Sequence, residues 1–163
     1  VRVPKSHLIG NPGEGFLQAL QILDGGRISI AALSVGTAQA ALDASLKYAN
    51  DRVQFNKRIL EFQGIQFKLA KMSMEIEAAR LLTHKAAWMK DQGQNITVAA
   101  SHAKLYASEI AVRACEESVQ IHGGYGYSKE YPVEKLYRDV KLLTIGEGTS
   151  EVQKMVIARN LIG

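Results

Sequence analysis

One acidic residue, Glu147, stands between two glycines, Gly146 and Gly148, directly before a predicted helix. Glycines permit unusual backbone angles and let a ligand come close. A carboxylate held in this way can be presented to a cavity, where it can serve as a general base. The same pattern also occurs in surface turns with an incidental glutamate, and the local sequence alone favours that second interpretation.

A second candidate is the glycine-rich run Gly123-Gly124-Tyr125-Gly126. It follows a predicted helix rather than a strand, so it is not the dinucleotide-binding fingerprint of an α/β fold. Its backbone N–H groups can still meet a phosphate. However, glycine is also an ordinary stop at the end of a helix, and without further context the helix stop is favoured.

A third feature is the pair Gly25-Gly26 inside the apolar, alanine-rich stretch from Phe16 to about Asn50. Each glycine costs a helix about 1 kcal/mol relative to alanine, so the pair needs an explanation. Either a ligand or another backbone approaches the helix closely at this point, or the helix is kinked. The sequence leaves these two alternatives evenly balanced.

The remaining reactive side chains do not form a recognisable site. The four histidines, at positions 7, 84, 102 and 122, have no metal-ligand spacing with one another or with the single cysteine, Cys115, so no metal site is predicted. No serine lies in a nucleophile elbow. Cys115 falls in an apolar helical pattern, which predicts a small core residue, and a lone cysteine is compatible with a reducing compartment.

Length and composition narrow the class of protein. The chain has 163 residues, of which 47% are hydrophobic, enough for one domain with one core. The net charge of +4 is spread among acidic residues without an aromatic-and-basic motif, so we expect no nucleic acid as a partner. No apolar run approaches 18 residues without a charge, so no membrane span is predicted. The first residues do not have the layout of a signal peptide.

Three long helices are predicted to position these candidates. The first covers the stretch from Phe16 to about Asn50. In the second, from Phe62 to Met89, apolar residues recur at alternating steps of three and four, as on one face of an amphipathic helix. The third ends near Ile121 and begins at Asn95 or Thr97, either of which can cap it.

The other segments are shorter. Residues 52–61 are predicted to be a loop. Pro132 suits the first turn of a short helix that reaches about Leu142. The last helix begins at Thr149 or Ser150, and Ser150 with Gln153 fits a capping box. Because no segment alternates with period two, we predict an all-α fold, an antiparallel up-and-down four-helix bundle over residues 13–163.

Six short motifs gain weight because they occur together over nearly the whole chain. They are Leu23-Asp24-Gly25-Gly26-Arg27, Tyr48 to Phe55, Phe62-Gln63 with Gln66, Val119 to Gly126, Tyr131 to Asp139, and Glu147 to Gln153. Any one of them can arise by chance, whereas six in order are highly specific. In order and residue type they resemble the helical C-terminal domain of the acyl-CoA dehydrogenases, of short-chain or bacterial type.

The resemblance implies a reaction and a base. In this family FAD oxidises an acyl-CoA thioester to the trans-2-enoyl-CoA, and by position the glutamate that removes the pro-R α-proton is Glu147 here. The β-hydrogen leaves as a hydride to flavin N5, and a main-chain N–H at the glutamate, with a flavin ribityl hydroxyl, hydrogen-bonds the thioester carbonyl. Some members carry the base at the position of Gly26. Glycine cannot abstract a proton, which favours Glu147.

The resemblance also implies which residues bind the cofactor and the substrate. It assigns the FAD pyrophosphate to Arg52, whose guanidinium suits such a contact. It assigns the rest of FAD, partly from a neighbouring subunit, to Phe55, Gln63, Gln120, Ile121, His122, Gly123, Gly124, Thr149, Ser150 and Glu151. It assigns the acyl-CoA to Asp24, Gly25, Gly26, Arg27 and Gly148.

The expected partners and location follow from the same resemblance. We expect an acyl-CoA substrate, electron-transfer flavoprotein as the electron acceptor, and a homo-oligomer, expected to be a tetramer. The location would be cytoplasmic in a bacterium, or the mitochondrial matrix in a eukaryote. Two rival functions stay open: an acyl-CoA oxidase on the same fold, which passes electrons to oxygen, and a non-catalytic helical oligomerisation module.

The chain departs from the family pattern in two positions and in extent. Members of the family often have Tyr at the position of Gly146 and Gly at that of Asn56. The departure at Gly146 leaves the preferred acyl chain length of the substrate open, and we expect a straight short chain. The resemblance covers neither the N-terminal helical domain nor the middle β domain of the family. Residues 1–12 are predicted to be a linker from that β domain. We therefore expect little or no dehydrogenase activity from the chain alone.

Overall fold

The computed structural model describes residues 1–163 and contains three long helices and two short ones. They are α1 (Gly15–Asp51), α2 (Gln63–Asp91), α3 (Thr97–His122), α4 (Val133–Val140) and α5 (Ser150–Ile162). Two very short strands, β1 (Val53–Gln54) and β2 (Lys57–Arg58), pair antiparallel. Single 3₁₀ segments occur at Lys5–His7, Ile59–Glu61, Gly123–Tyr127 and Lys141–Thr144. The predicted helical class is confirmed.

Ion pairs between α2 and α3 show that these helices run antiparallel. Lys68 of α2 pairs with Glu117 of α3, and Oε1 of Glu75 on α2 lies 3.4 Å from Nη2 of Arg113 on α3. Residue numbers therefore rise along α2 while they fall along α3. The short connection between the two helices, residues 92–96, is what an antiparallel pair requires.

Helices α1 and α3 run in the same direction. Near the beginning of both, Thr97 Oγ1 donates to Asp24 Oδ2 at 2.7 Å, and near their ends the hydroxyls of Ser45 and Ser118 lie 2.8 Å apart. Helix α1 is therefore antiparallel to α2 as well. The three long helices form an up-down-up layer, against which α4 and α5 pack mainly through α3.

Small side chains bring α1 and α3 together. Both helices bury alanines completely, namely Ala31, Ala38, Ala41 and Ala49 on α1 and Ala100, Ala103, Ala107 and Ala111 on α3. The buried hydroxyl of Ser118 donates to the Ala41 carbonyl at 3.0 Å, so this polar group is satisfied inside the core. Cys115 lies in the same core, where burial raises the pKa of its thiol to about 12. The prediction of a core cysteine is confirmed.

The connection between α1 and α2 differs from the predicted loop. It contains the β1–β2 hairpin, in which Val53 pairs with Arg58 and Gln54 with Lys57. The two turn residues, Phe55 and Asn56, have φ angles of 53° and 62°. Two left-handed residues define the tight turn that matches the twist of paired strands. The hairpin therefore carries Phe55 outwards, with 86% of its surface exposed.

The predicted capping box at the start of α5 is wrong. Thr149 is the capping residue, because its Oγ1 accepts a hydrogen bond from the Val152 N–H at 3.4 Å. Ser150 is the first helical residue and is buried. The Gln153 side chain turns instead to the carbonyls of Glu147 and Gly148. Its partners in the loop matter for the site described below.

The other predicted helix ends are close to those observed. Asn95 Oδ1 accepts from the Thr97 N–H at 3.0 Å, so Asn95 supplies the capping contact at the start of α3. Helix α4 begins directly after Pro132, as its fixed φ favours, and ends at Val140 rather than near Leu142. None of the helices combines the length and the apolar character that a bilayer span requires.

Candidate active site

The backbone at Glu147 has an uncommon conformation that neighbouring side chains hold in place. Its φ angle is 57°, in the left-handed region that residues other than glycine seldom adopt, and Gly148 follows with φ 91°. Gln153 Nε2 donates to the carbonyls of Glu147 at 3.2 Å and Gly148 at 3.0 Å. Lys104 Nζ donates to the Gly148 carbonyl at 2.7 Å. Side chains from α3 and α5 thus fix this loop.

The Glu147 carboxylate lies against the bare backbone of Gly26. A Cβ added at Gly26 would come within 2.5 Å of Glu147 Oε2 and 2.9 Å of its Cδ. At Gly25 an added Cβ would meet only Lys90 Nζ, the flexible end of a long side chain, at 2.9 Å. Helix α1 continues through both glycines. Close approach therefore explains Gly26, and what approaches is a side chain from the far end of the sequence.

Buried charged groups also lie on α1 beside Gly26 and on α3 against the loop that carries Glu147. Arg27, only 6% exposed, pairs with Asp24 at 2.6 Å. Lys104 is completely buried, and burial, helped by the positive charge of Arg27, lowers its pKa, while Glu151, Glu109 and Glu147 act in the opposite direction. Of the residues predicted for the substrate, Gly26 and Gly148 therefore adjoin Glu147, while Asp24 and Arg27 pair with each other on the same helix as Gly26.

Part of the predicted cofactor set lines an open cavity of ≈ 470 Å³ near the end of α3. From that set it contains Arg52, Ile121, His122, Gly123 and Gly124. A Cβ added at Gly123 or Gly124 would meet no atom within 4 Å, so open space adjoins the backbone there. A guanidinium beside accessible backbone suits the anionic part of a dinucleotide such as FAD.

His122 forms an aromatic wall of this cavity. Its ring stacks on Tyr48 with centroids 4.2 Å apart, and its Nδ1 lies 2.7 Å from the Ser118 carbonyl, which makes Nδ1 a donor. Burial lowers the pKa of His122, and the hydrogen bond to the Ser118 carbonyl opposes that effect. The side chain therefore presents a neutral ring to the cavity at neutral pH.

The structure does not bring the other predicted cofactor residues into this cavity. Phe55 and Gln63 are exposed near the hairpin, and Gln120 is exposed on α3. Residues 149–151 line a different cavity, of ≈ 390 Å³, together with Val112. Val112 and Ile121 are nine residues apart on α3, which corresponds to about 13 Å. Within one chain, the predicted FAD residues therefore fall in separate regions.

Two residues at the site were missed as site residues by the sequence analysis. Lys104 lies among Ala100, Ala103 and Ala107, which form the buried stripe of α3, so a lone lysine on an apolar helix face was the available signal. Gln153 was assigned to a helix cap because of its spacing from Ser150. Its true partners, the loop carbonyls, cannot be read from that spacing.

Proteins of known name share this chain almost from end to end. It is 62% identical over 162 residues to the probable acyl-CoA dehydrogenase YngJ of Bacillus subtilis (strain 168), covering 99% of this chain and 43% of that protein. It is 52% identical over 162 residues to the caffeyl-CoA reductase-Etf complex subunit CarC of Acetobacterium woodii, covering the same shares. The chain thus spans less than half the length of these relatives.

A solved structure and a family model agree with these relatives. The structure of butyryl-CoA dehydrogenase from Megasphaera elsdenii is similar with a TM-score of 0.98 and 51% identity, over 99% of this chain and 42% of that one. Residues 13–162 match the family model described as acyl-CoA dehydrogenase, C-terminal domain. This match includes Gly26, Arg52 and Glu147, and with it the chain belongs to the acyl-CoA dehydrogenase family, as its C-terminal domain.

Proposed function

We propose that this chain supplies the catalytic base and part of the FAD site of an enzyme that oxidises an acyl-CoA to the trans-2-enoyl-CoA. The observation that carries the proposal is the placement of the Glu147 carboxylate. It is half-buried, it rests on the bare backbone of Gly26, and a left-handed turn of the chain presents it there. Family membership supports the reaction class.

In this proposal Glu147 removes the α-proton of the thioester. The missing side chain at Gly26 leaves room for the carboxylate, and in this proposal the acyl group lies beside it. The Glu147 backbone N–H makes no hydrogen bond within the chain, so it is available to the thioester carbonyl, where negative charge develops as the proton leaves. When bound, FAD accepts the hydride that leaves the β-carbon.

The residues that would hold FAD come from two regions of the chain. Arg52 and the glycines at 123 and 124 would bind its pyrophosphate part, and residues 149–151 would bind another part. These regions are about 13 Å apart along α3, and following the family resemblance the proposal assigns them to FAD molecules shared between subunits of a homotetramer. Large apolar side chains exposed on the helices, such as Leu33, Leu46 and Phe67, support association.

Substrate, electron acceptor and location are proposed from the relatives. A straight short-chain acyl-CoA is supported by the similarity to butyryl-CoA dehydrogenase. Electron-transfer flavoprotein as the electron acceptor is supported by the relative named as a subunit of an Etf complex. A bacterial enzyme of this kind would work in the cytoplasm, and a eukaryotic one in the mitochondrial matrix.

The finer architecture is also a proposal. Three long helices alternate in direction, and α5 packs on α3 with Ser150 and Gln153 buried. We propose that α5 is the fourth member of an up-and-down bundle, with α4 as a connecting element. Residues 1–12, of which all are exposed, would lead in from the preceding domain.

The test is Glu147→Gln in the full-length protein that contains this domain. We expect anaerobic bleaching of the flavin by a panel of acyl-CoAs to slow by about 10²- to 10⁴-fold, because the amide cannot accept the proton. Binding of acyl-CoA should be largely kept. Glu116→Gln, at an exposed position of α3, is the matched control and should bleach normally.

The rival functions give different results in the same experiment. A non-catalytic oligomerisation module predicts that Glu147→Gln leaves turnover unchanged, which would refute the proposal. An oxidase predicts rapid oxygen consumption by the reduced full-length enzyme, whereas a dehydrogenase requires an electron-transfer partner for fast reoxidation.

A further inference from the structure

Two buried polar side chains, Lys104 and Gln153, have no part in the reaction proposed above, yet both make their hydrogen bonds to the loop that carries the base. We infer that Lys104 and Gln153 are positioning residues, which hold the Glu147–Gly148 backbone in the conformation that aims the carboxylate at Gly26. This inference rests on the proposed function, in which Glu147 is the base.

The burial of Lys104 is the first step of the argument. Its side chain is completely buried, it forms no ion pair, and its one hydrogen bond goes to the Gly148 carbonyl. Removing an ammonium group from water is unfavourable, and an apolar side chain would fill the same space on α3 without that penalty. Fold stability therefore does not account for a lysine at this position.

The orientation of the Gln153 amide is the second step. Its nitrogen faces two carbonyls, those of Glu147 and Gly148, and its oxygen Oε1 is buried without a hydrogen-bond partner. An unsatisfied buried oxygen is unfavourable. The side chain thus gives up one hydrogen bond while it supplies two to the loop.

The backbone conformation of Glu147 is the third step. A left-handed φ at a residue other than glycine is unfavourable and persists only where the surroundings enforce it. Lys104 and Gln153 donate three hydrogen bonds in all to the carbonyls of Glu147 and Gly148. Without them, Glu147 can relax to a negative φ, and its carboxylate then leaves Gly26.

The experiment uses Lys104→Met in the full-length enzyme. Methionine keeps an unbranched apolar stem and removes the ammonium, while Gln153 still satisfies the Gly148 carbonyl. We expect kcat and the rate of solvent deuterium exchange at the substrate α-carbon to fall by about 10- to 100-fold, because a small misplacement of a reacting group is sufficient. KM, flavin content and the thermal midpoint should stay the same, or the midpoint should rise.

A matched control and a second variant complete the design. Lys154→Met, at an exposed lysine of α5 whose Nζ lies 3.4 Å from Glu109, should change neither kcat nor exchange. Gln153→Met should lower kcat as Lys104→Met does, so the inference stays testable if one variant folds poorly. Lys104→Met added to Glu147→Gln should cause no further loss of residual turnover, because the lysine acts through that carboxylate.

The outcomes separate this inference from the proposed function. If Glu147→Gln turns over normally, the proposed function fails and the inference fails with it. If Glu147→Gln is inactive but Lys104→Met has a normal kcat, only the inference fails. A parallel loss of thermal stability and kcat in both positioning variants would assign Lys104 and Gln153 a purely structural role and would overturn it.

Discussion

A single missing methyl group decides where the proposed base can lie. At Gly26 the space that any other side chain would fill holds the Glu147 carboxylate, with Oε2 only 2.5 Å from an added Cβ. The carboxylate is the end of a half-buried side chain whose backbone is fixed by hydrogen bonds, and it lies directly beside helix α1. A substitution on α1 should therefore act directly on the chemistry assigned to residue 147.

Gly26→Ala should lower kcat of the full-length enzyme by at least about tenfold, because the new methyl group displaces the carboxylate from its productive position. Steady-state turnover and flavin bleaching measure this effect. Gly36→Ala is the control on the same helix, since its added Cβ meets no atom within 4 Å. It should keep normal turnover and gain up to about 1 kcal/mol of stability from the better helix former. Normal kcat in Gly26→Ala would contradict the assigned geometry.

At the same scale, the sequence predicted some residues of the site and not others. The local pattern drew attention to Glu147 and the paired glycines but favoured a surface turn for Glu147, and only the resemblance of six motifs to the family assigned it the role of base. That Glu147 and Gly26 meet could not be predicted from periodicity, since the contact joins opposite ends of the chain. Lys104 was not found, because a lysine in a helix pattern is normally assigned to the solvated face.

At the scale of elements, α3 connects the two regions that the proposal assigns to substrate and cofactor. Lys104, near the beginning of α3, donates a hydrogen bond to the loop that carries Glu147. His122, at the end of α3, lines the cavity that contains Arg52. Eighteen residues separate them, which corresponds to about 27 Å of rigid helix. The alanine-lined packing of α3 on α1 therefore fixes both regions relative to each other.

The end of α3 should give the domain a pH-dependent stability. Burial lowers the pKa of His122 below the ordinary histidine value of 6.5, so the unfolded chain binds more protons than the folded chain as the pH falls below that value. Stability contributed by neutral His122 is thus present at neutral pH and lost as the pH falls through 6.5 towards the lower folded pKa. Urea unfolding of the 163-residue chain, followed by circular dichroism at about pH 7.5 and 5.5, measures this loss.

The variant for this prediction is His122→Phe, which keeps an aromatic ring against Tyr48 but cannot take up a proton. It should lose less stability between the two pH values than the native chain. His84→Gln, at an exposed position of α2, should lose as much as the native chain. Equal losses in all three proteins would show that His122 does not contribute.

Among the elements, the periodicity of apolar residues predicted the long helices, whereas the hairpin and the cap of α5 were not predicted. The repeating apolar steps on α2 and α3 predicted both helices to within a few residues. The β1–β2 hairpin was missed, because strands of two residues are too short to show alternation. Its turn also places Phe55 at a positive φ, which no propensity of phenylalanine indicates. The capping residue is Thr149 rather than Ser150, and the Gln153 side chain bonds the carbonyls of the preceding loop instead of the start of the helix.

At the scale of the whole molecule, the chain holds parts of a site rather than a closed one. It spans less than half the length of its relatives, and the Arg52 cavity is open to solvent. Oriented donors act strongly only where water is excluded. The helical class was predictable from periodicity and the family from six motifs, whereas which of the predicted FAD residues share a cavity within one chain required the fold.

The isolated 163-residue chain, mixed with FAD and butyryl-CoA, should therefore show little or no dehydrogenase activity. An assay with an artificial electron acceptor measures it, and the full-length enzyme is the positive control. Full turnover by the isolated chain would mean that the other parts of the relatives are dispensable for the reaction.

The contact between Glu147 and Gly26 also affects the order in which parts of the domain fold. The two residues lie on helix α1 and just before the last helix, so the loop that their contact closes includes most of the polypeptide. Contacts of such long sequence separation form late, after local helices have paired. A chain interrupted before residue 147 would thus contain folded helices but lack the carboxylate that the proposal assigns to the base.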